Sequence, residues 1–199
     1  MQIKNNHKQQ IKLKKDNKMI KSWTAAAITG IVLVGFTSAQ ADEFRFNNSA
    51  SDYWNNAANW ELEDGSDAGK VPDTSRTHVM IDNSVGTEHT ILESDVSDIN
   101  MLFIANGSDG TLDINSGADL TTVGGDPSRV GNTPGAAGTV NQSGGTVFFN
   151  SGHHTDLNIA HRGRGTWNLS GGTLRTDRHL NLGVSQDGTP GLLNVTGGR

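Results

Sequence analysis

The amino-acid sequence predicts an all-β protein: a parallel β-helix (β-solenoid) with about 26–28 residues per coil, preceded by a cleaved signal peptide. Three observations lead to this expectation. Short segments bounded by glycine recur at that spacing. Apolar and polar residues alternate inside each segment, which is the periodicity of a strand. A basic stretch, an apolar stretch and small residues follow one another at the N-terminus.

The composition fits a repeat array better than a compact globule. The 199 residues include 25 glycines, and only 33% are hydrophobic, which is lean for one central core. The sequence contains no cysteine, which excludes disulfides, cysteine-bound zinc and a thiol nucleophile. Residues 1–41 carry a net charge of +6 and residues 42–199 carry −11. The acidic part would repel nucleic-acid phosphates, so we expect no nucleic-acid partner.

Residues 1–41 have the three parts of a secretory signal peptide. Seven lysines end at Lys21, an apolar run of 14 residues follows, and small residues lead up to Ala41. The run is short for a membrane span, which needs about 20 apolar residues. We therefore predict cleavage between Ala41 and Asp42, the alternative being an uncleaved N-terminal anchor. Met19 is a second candidate start, because it would give a leader of ordinary length.

Four glycine-initiated segments align along the chain. They start at Gly110, Gly138, Gly165 and Gly191, so successive starts are 28, 27 and 26 residues apart. Periods of about 20–50 residues are typical of solenoids, whose units bury apolar faces only against their neighbours. Each segment is expected to contribute to two inward columns and to one outward Asx column. The columns are Leu112, Val140, Trp167 and Leu193; Ile114, Gln142, Leu169 and Val195; and Asp113, Asn141, Asn168 and Asn194.

Each period contains two further short strands. The second strand follows the glycine turn, at residues 146–149, 173–176 and, slipped by one residue as a bulge allows, 118–121. The third strand ends in an apolar residue followed by Ala or Gly, at residues 102–105, 130–131, 159–160 and 182–183. Three short strands joined by Gly, Asn, Asp and Ser turns make one β-helix coil. A β-propeller, which needs about 40–45 residues per blade, and a β-sandwich are the alternatives.

The sequence divides into the leader, an N-terminal head at residues 42–75 and coils at residues 76–199. The head contains two tryptophans, Trp54 and Trp60, six residues apart. The end of a solenoid exposes an apolar cross-section and unpaired strand edges, so we interpret these tryptophans as part of a cap. The alternative is a platform on which a sugar ring stacks.

The head and the repeats together resemble a known group of exported bacterial proteins. The pattern is Trp54-Asn-x-x-x-Asn59-Trp60, then Val71-Pro72-Asp73, then apolar strand pairs and Gly-Thr-Leu-x-Ile repeats. Over residues 44–199 it is similar to PEP-CTERM-sorted proteins and to proteins with autotransporter-associated β-strand repeats. The resemblance implies a right-handed β-helix at the cell surface or in the extracellular matrix. Neither a Pro-Glu-Pro sorting tail nor a barrel follows Arg199, so we expect a fragment of a longer protein, or a partner that closes the open end.

The densest polar group lies in the last third of the sequence. Two aligned third strands would place Asp156 beside His179 on neighbouring coils. Polysaccharide lyases and hydrolases on β-helices use carboxylates and basic residues on such a face. The alternative, which we favour because no carboxylate pair repeats in one column, is a solvated face with ion pairs worth ~0.2–1 kcal/mol each. The group comprises His153, His154, Asp156, His161, Arg162, Arg164, Arg175, Asp177, Arg178 and His179.

Motifs for metals and cofactors are weak. His153, His154 and His161 are candidate metal ligands, but their spacing matches no ligand motif and we interpret them as loop residues. The turns Asp109-Gly110 and Asp187-Gly188 resemble those of calcium-binding β-rolls, whose Gly-Gly-x-Gly-x-Asp repeat this sequence lacks. No nucleophile elbow, P-loop or dinucleotide fingerprint occurs. We therefore expect no catalytic residue, no cofactor and no metal.

The sequence favours an exported, non-catalytic structural or adhesive module. The expected partners are extracellular glycans or neighbouring surface proteins, with a membrane involved only through export or a C-terminal anchor. The alternative is a glycan-binding module or the N-terminal part of a polysaccharide lyase or hydrolase. A structural module predicts no turnover. An enzyme predicts catalytic carboxylates, or an Arg and Lys cluster, on later coils and activity lost with one residue such as Arg178.

Overall fold

The computed structural model describes residues 42–47, 52–75, 77–83, 89–150, 156–184 and 189–199, so the predicted leader lies outside the described residues. The regular structure in these residues is strand, apart from one 3-10 turn at Ala57–Asn59. In chain order the strands are β1 (Asp42–Phe46), β2 (Trp60–Leu62), β3 (Thr77–Ile81), β4 (Thr90–Leu92), β5 (Val96–Ile99), β6 (Met101–Ile104), β7 (Gly110–Ile114), β8 (Asp119–Thr122), β9 (Ser128–Val130), β10 (Ala137–Gln142), β11 (Thr146–Phe149), β12 (Leu157–Ile159), β13 (Arg164–Leu169), β14 (Thr173–Thr176), β15 (Leu180–Leu182) and β16 (Gly191–Val195).

The strands form three stacked sheets. The first sheet has the order β15-β12-β9-β6-β3-β1-β2, the second β16-β13-β10-β7-β4, and the third β14-β11-β8-β5. Each strand from β3 onwards pairs in parallel with the strand three places along the chain. The chain therefore visits the three sheets in turn, which gives a β-solenoid of about four turns and confirms the predicted fold class.

The register confirms the repeat that the sequence predicts. Gly110, Gly138, Gly165 and Gly191 occupy one position in the second sheet. The outward Asx column is likewise continuous from Asp113 through Asn141 and Asn168 to Asn194. The coils thus stack in register although their lengths differ, because turns absorb the length differences.

Two turns show how these length differences are absorbed. β8 pairs with β11 from Asp119 opposite Thr146, so the slip predicted for residues 118–121 is real. The extra residue lies in the preceding turn and leaves the ladder itself regular. The first coil is shorter than predicted: Leu92 pairs with Ile114, only 22 residues further along.

Inward side chains from all three sheets form one core. Trp167 is completely buried in its predicted column and meets the Phe149 ring edge-on, with ring centroids 6.0 Å apart. Gln142 is the polar member of the next column and is also buried. Its Oε1 accepts a 3.2 Å hydrogen bond from Trp167 Nε1, and its Nε2 donates to the carbonyls of Gly144 and Thr173 at 3.2 and 3.0 Å. A buried polar group with these partners avoids the desolvation cost of an unpaired one.

The head residues continue the solenoid sheets. β1 pairs in parallel with β3, and β2 pairs with β1 antiparallel at the edge of the first sheet. Trp54 and Trp60 are both buried, and their rings meet edge-on at 4.8 Å. Trp60 Nε1 donates a 2.7 Å hydrogen bond to the Trp54 carbonyl. Because both indoles are buried inside the protein, neither presents a free face on which a sugar ring can stack.

Candidate functional site

The outer face of the first sheet carries the most unusual set of surface side chains. Strand residues alternate between the two faces, so the residues between the core positions point outward. Val79 and Ile81 lie in the main core, and Met80 between them belongs to a separate cluster on the opposite face. One outward column crosses the whole sheet and comprises Glu61, Arg45, Met80, Phe103, Arg129, Asn158 and Asn181.

An apolar patch lies at the centre of this outer face. Met80, Met101 and Phe103 are only 6–8% exposed although they point away from the core. The guanidinium of Arg129 lies over the Phe103 ring, 5.6 Å from its centroid, and helps to cover it. A cation over a ring face is attracted by the ring quadrupole, so this contact fixes the position of the guanidinium.

The turn after β12 brings two more basic side chains to the same region. Ala160 adopts a left-handed conformation with φ of 64° directly after β12, where the chain turns from the first sheet towards β13 in the second. The carbonyl of Gly131 then accepts hydrogen bonds from the backbone N–H groups of His161, Arg162 and Gly163, at 3.1, 3.1 and 2.9 Å. Three donors on one carbonyl hold this turn against the end of β9, beside Arg129.

Arg129, His161 and Arg162 are close enough to affect one another electrostatically. Burial is the main cause that lowers the pKa of His161, and the guanidinium groups of Arg129 and Arg162 lower it further. Burial also lowers the pKa of Arg129; Asp126 opposes this effect and Arg162 adds to it. Arginine stays charged at neutral pH in spite of such a shift. Two like charges are therefore held together beside an imidazole.

The basic group comprises Arg129, His161 and Arg162, and Asp126 lies near enough for its charge to act on Arg129. Among the residues that the structure describes, none of the three members is in a salt bridge. Arg129 Nη1 donates a 3.3 Å hydrogen bond to Asn132 Oδ1, and the Asn132 backbone is a partner of the His161 imidazole. Arg129 Nε is buried and has no hydrogen-bond partner among the described residues. A buried N–H donor without an acceptor is costly. Because Arg129 Nε is buried, an oxygen atom from outside the protein does not reach it in this conformation.

Charge is distributed unevenly along the solenoid. Residues 42–126, which include the head and the first two coils, contain 17 acidic and three basic residues. Residues 127–199 contain three acidic and six basic residues. The basic group thus belongs to the positive half of a chain whose other half is strongly negative.

The structure divides the polar group predicted from the sequence. As predicted, Asp156 lies beside His179 on the neighbouring coil, with Oδ1 and Nδ1 3.0 Å apart. Arg175 is 3.5 Å from Asp177 and lies 4.2 Å from the Phe148 ring centroid on the third sheet. These residues lie before β12 or β15, whereas His161 and Arg162 follow β12. His153 and His154 lie outside the described residues, and so does the turn at residues 187–188.

The outward Asx column of the second sheet is bonded from coil to coil. Asn141, Asn168 and Asn194 each donate from Nδ2 to the side-chain oxygen of the residue before them in the column, at 2.7, 2.8 and 2.7 Å. Asp113 starts the ladder and is 2.6 Å from His89 Nδ1. The ladder uses these side chains for cohesion between coils, as stacked Asn ladders do in cross-β assemblies.

Carboxylates at the turns have a similar structural use. Asp109, which the sequence suggested as part of a calcium-type turn, accepts a 2.7 Å hydrogen bond from the Ala137 N–H on the next coil. Asp82 accepts from the N–H groups of Asn106 and Gly107 in the same way. Within the described residues no three His, Asp or Glu side chains are grouped so as to hold a metal ion.

The head contains a small cavity of about 120 Å³ beside Trp54. Its walls include Val71, Pro72 and Asp95. Among the described residues, the Trp54 indole N–H is buried without a hydrogen-bond partner.

None of the helical structure in the described segments has the length and hydrophobicity of a membrane span.

Comparisons of this chain with protein-family models, with curated proteins and with solved structures found no match. The candidate site is therefore defined by geometry alone.

Arg129, Phe103 and the two methionines are the site residues that sequence reasoning missed. The signal was available in part, because Arg129 occupies the outward position just before Val130 at the predicted end of the third strand. The sequence did not show that a turn 32 residues later folds back against the same strand.

Proposed function

We propose that this chain is an exported, non-catalytic structural or adhesive module that acts at the cell surface or in the extracellular matrix. The observation that carries the proposal is the use of outward polar side chains between coils. The Asx ladder from Asp113 to Asn194 and the turn carboxylate of Asp109 bond to neighbouring coils. Such side chains build a regular surface that continues from coil to coil, which suits a scaffold or an adhesive face.

Export is supported by the leader pattern. Cleavage after Ala41 is compatible with the fold, because it would leave β1 (Asp42–Phe46) complete. The resemblance to PEP-CTERM-sorted and autotransporter-associated repeat proteins points to the same destination and stays a prediction.

Export is tested by expressing the full chain in a Gram-negative host and measuring the mass of the protein outside the cytoplasm. We expect a mature chain that begins at Asp42. Signal peptidase requires small residues at Ala39 and Ala41, so Ala41→Leu should leave the leader attached. Gln40→Leu, the same kind of enlargement at the position between them, should be processed normally. An unprocessed chain that stays in the cytoplasm would refute export.

The non-catalytic part of the proposal has a separate test. The purified chain is incubated with acidic and neutral polysaccharides, and reducing ends and unsaturated uronate products are measured. We expect no turnover. Turnover that disappears in Arg178→Gln would instead establish the alternative function of a polysaccharide lyase or hydrolase.

A further inference from the structure

We propose that Arg129, His161 and Arg162, on the outer face of the first sheet, form a binding site for the carboxylate or sulfate groups of an acidic polysaccharide. The inference deepens the adhesive role proposed above by naming a ligand class. It rests on that role only in one respect: export is what would bring the protein into contact with an extracellular polysaccharide.

The site contains the chemistry that an oxyanion needs. Arg129 is placed by its contact with Phe103, which leaves the edges of the guanidinium for other partners. Arg162 is exposed, and its backbone N–H is bonded to the Gly131 carbonyl at the end of β9, so it brings a second guanidinium near Arg129. Guanidinium groups bind carboxylate and sulfate-like oxyanions with charge-assisted, often bidentate hydrogen bonds. A bound oxyanion would relieve the repulsion between the two arginines.

The surroundings favour a polysaccharide over a small ion. Asn158 and Asn181 continue the column that contains Arg129, and Asn181 Nδ2 donates to Asn158 Oδ1 at 2.9 Å. Asn158 is only 5% exposed, whereas Asn181 is half-buried. Amide groups hydrogen-bond to hydroxyl groups, so Asn181 offers a sugar contact near the basic group. Along the axis the first two coils are strongly acidic and would repel a polyanion. A bound chain would therefore lie across the third and later coils.

The test is to measure binding of the purified chain to alginate, to dextran sulfate and to uncharged dextran. We expect binding to at least one of the two charged polymers, weakening as the salt concentration rises, and none to dextran. A preference between the charged polymers identifies carboxylate or sulfate as the natural group. Arg162→Gln should weaken binding about tenfold, because it removes one charge-assisted hydrogen bond. Arg129→Gln should have a similar effect, with circular dichroism used to show that each variant is folded.

Arg175→Gln is the matched control, because it removes the same charge from an exposed position on the third sheet. It should change the affinity less than twofold. Equal weakening by Arg162→Gln and Arg175→Gln would overturn the site, since binding would then follow net charge alone. Failure of both charged polymers to bind, or tighter binding of a single-stranded DNA oligonucleotide, would also overturn it. These results are obtained on purified protein, so they are independent of whether the chain is exported.

Discussion

Gly165 provides the sharpest test of how the coils are held together. It lies at the start of β13, directly beside the corner where the first sheet passes into the second. A Cβ placed on it would lie 2.5 Å from the Val130 carbonyl oxygen, about 1 Å inside ordinary contact, and would also overlap the Ala160 backbone nitrogen. Those two atoms are the partners of a 2.7 Å hydrogen bond between successive coils. Gly165→Ala would therefore force this hydrogen bond apart.

The cost of Gly165→Ala has two parts. Overpacking against backbone that cannot rotate away costs typically 1–3 kcal/mol, and separating a buried hydrogen bond adds about 1–3 kcal/mol. We expect the free energy of unfolding to fall by about 2–6 kcal/mol in total, with about 4 kcal/mol as the central value. For a domain of this size each kcal/mol lowers Tm by about 2–4 °C, so Tm should drop by roughly 10 °C.

The assay is thermal and urea unfolding followed by circular dichroism. Gly125→Ala is the matched control, because Gly125 is exposed, has no left-handed φ and has no atom within 4 Å of an added Cβ. We expect that variant to be unchanged or stabilised by about 0.4–1 kcal/mol through the entropy of the unfolded chain. Equal Tm values for Gly165→Ala and the parent protein would refute the reasoning, because the corner would then be able to relax.

Three further predictions concern single side chains. Gln142→Leu should lower the free energy of unfolding, measured with urea, by about 1–3 kcal/mol, because it leaves the Trp167 N–H without its acceptor. Trp167→Phe should then lower the free energy of unfolding less in the Gln142→Leu variant than in the parent protein. Equal losses from Trp167→Phe in the two backgrounds would contradict this coupling. Asp109→Ala should lower the free energy of unfolding by about 1 kcal/mol, because the hydrogen bond from the Ala137 N–H is lost. Asp98→Ala, at an exposed position, should change it by less than about 0.5 kcal/mol. Equal losses in the two variants would refute the role of Asp109 in holding the coils together. The pKa of His161 is lower in the native protein than in the unfolded chain. As the pH falls below about 6.5, His161 therefore becomes protonated in the unfolded chain before it does so in the native protein. Stability should therefore decrease with falling pH through that range, and His161→Gln should make the decrease shallower; an unchanged slope would show that another group causes it.

The fold was predictable because one period governs both the sequence and the structure. Leu112, Val140 and Trp167 recur at intervals that match the coil length, so their pairing follows from counting residues. The first coil was harder to predict, because its turns differ in length from those of the later coils and its strands therefore do not align with theirs at the same spacing. Its pairing of Leu92 with Ile114 is fixed by burial of both side chains rather than by a repeated motif.

The candidate site was less predictable for a physical reason. Asp156 and His179 occupy equivalent positions in consecutive coils, so the repeat alone places them together. Arg129 and Arg162 occupy different positions in their coils, one within a strand and the other in a turn. Their proximity depends on the left-handed residue at Ala160 and on three hydrogen bonds to Gly131. Such turn geometry has no periodic signal in the sequence.

The unequal distribution of charge along the solenoid follows from what its side chains bond to. In the acidic half, Asp82 and Asp109 accept hydrogen bonds from backbone N–H groups of the next coil, so part of this negative charge serves cohesion between coils. In the later coils, Asn168 and Asn194 provide this cohesion through a ladder of neutral amides. Arg129 also contributes to cohesion, because its guanidinium packs over Phe103 of the preceding coil. Among the described residues neither Arg129 nor Arg162 is in an ion pair, so the charge of both is available for an external anion.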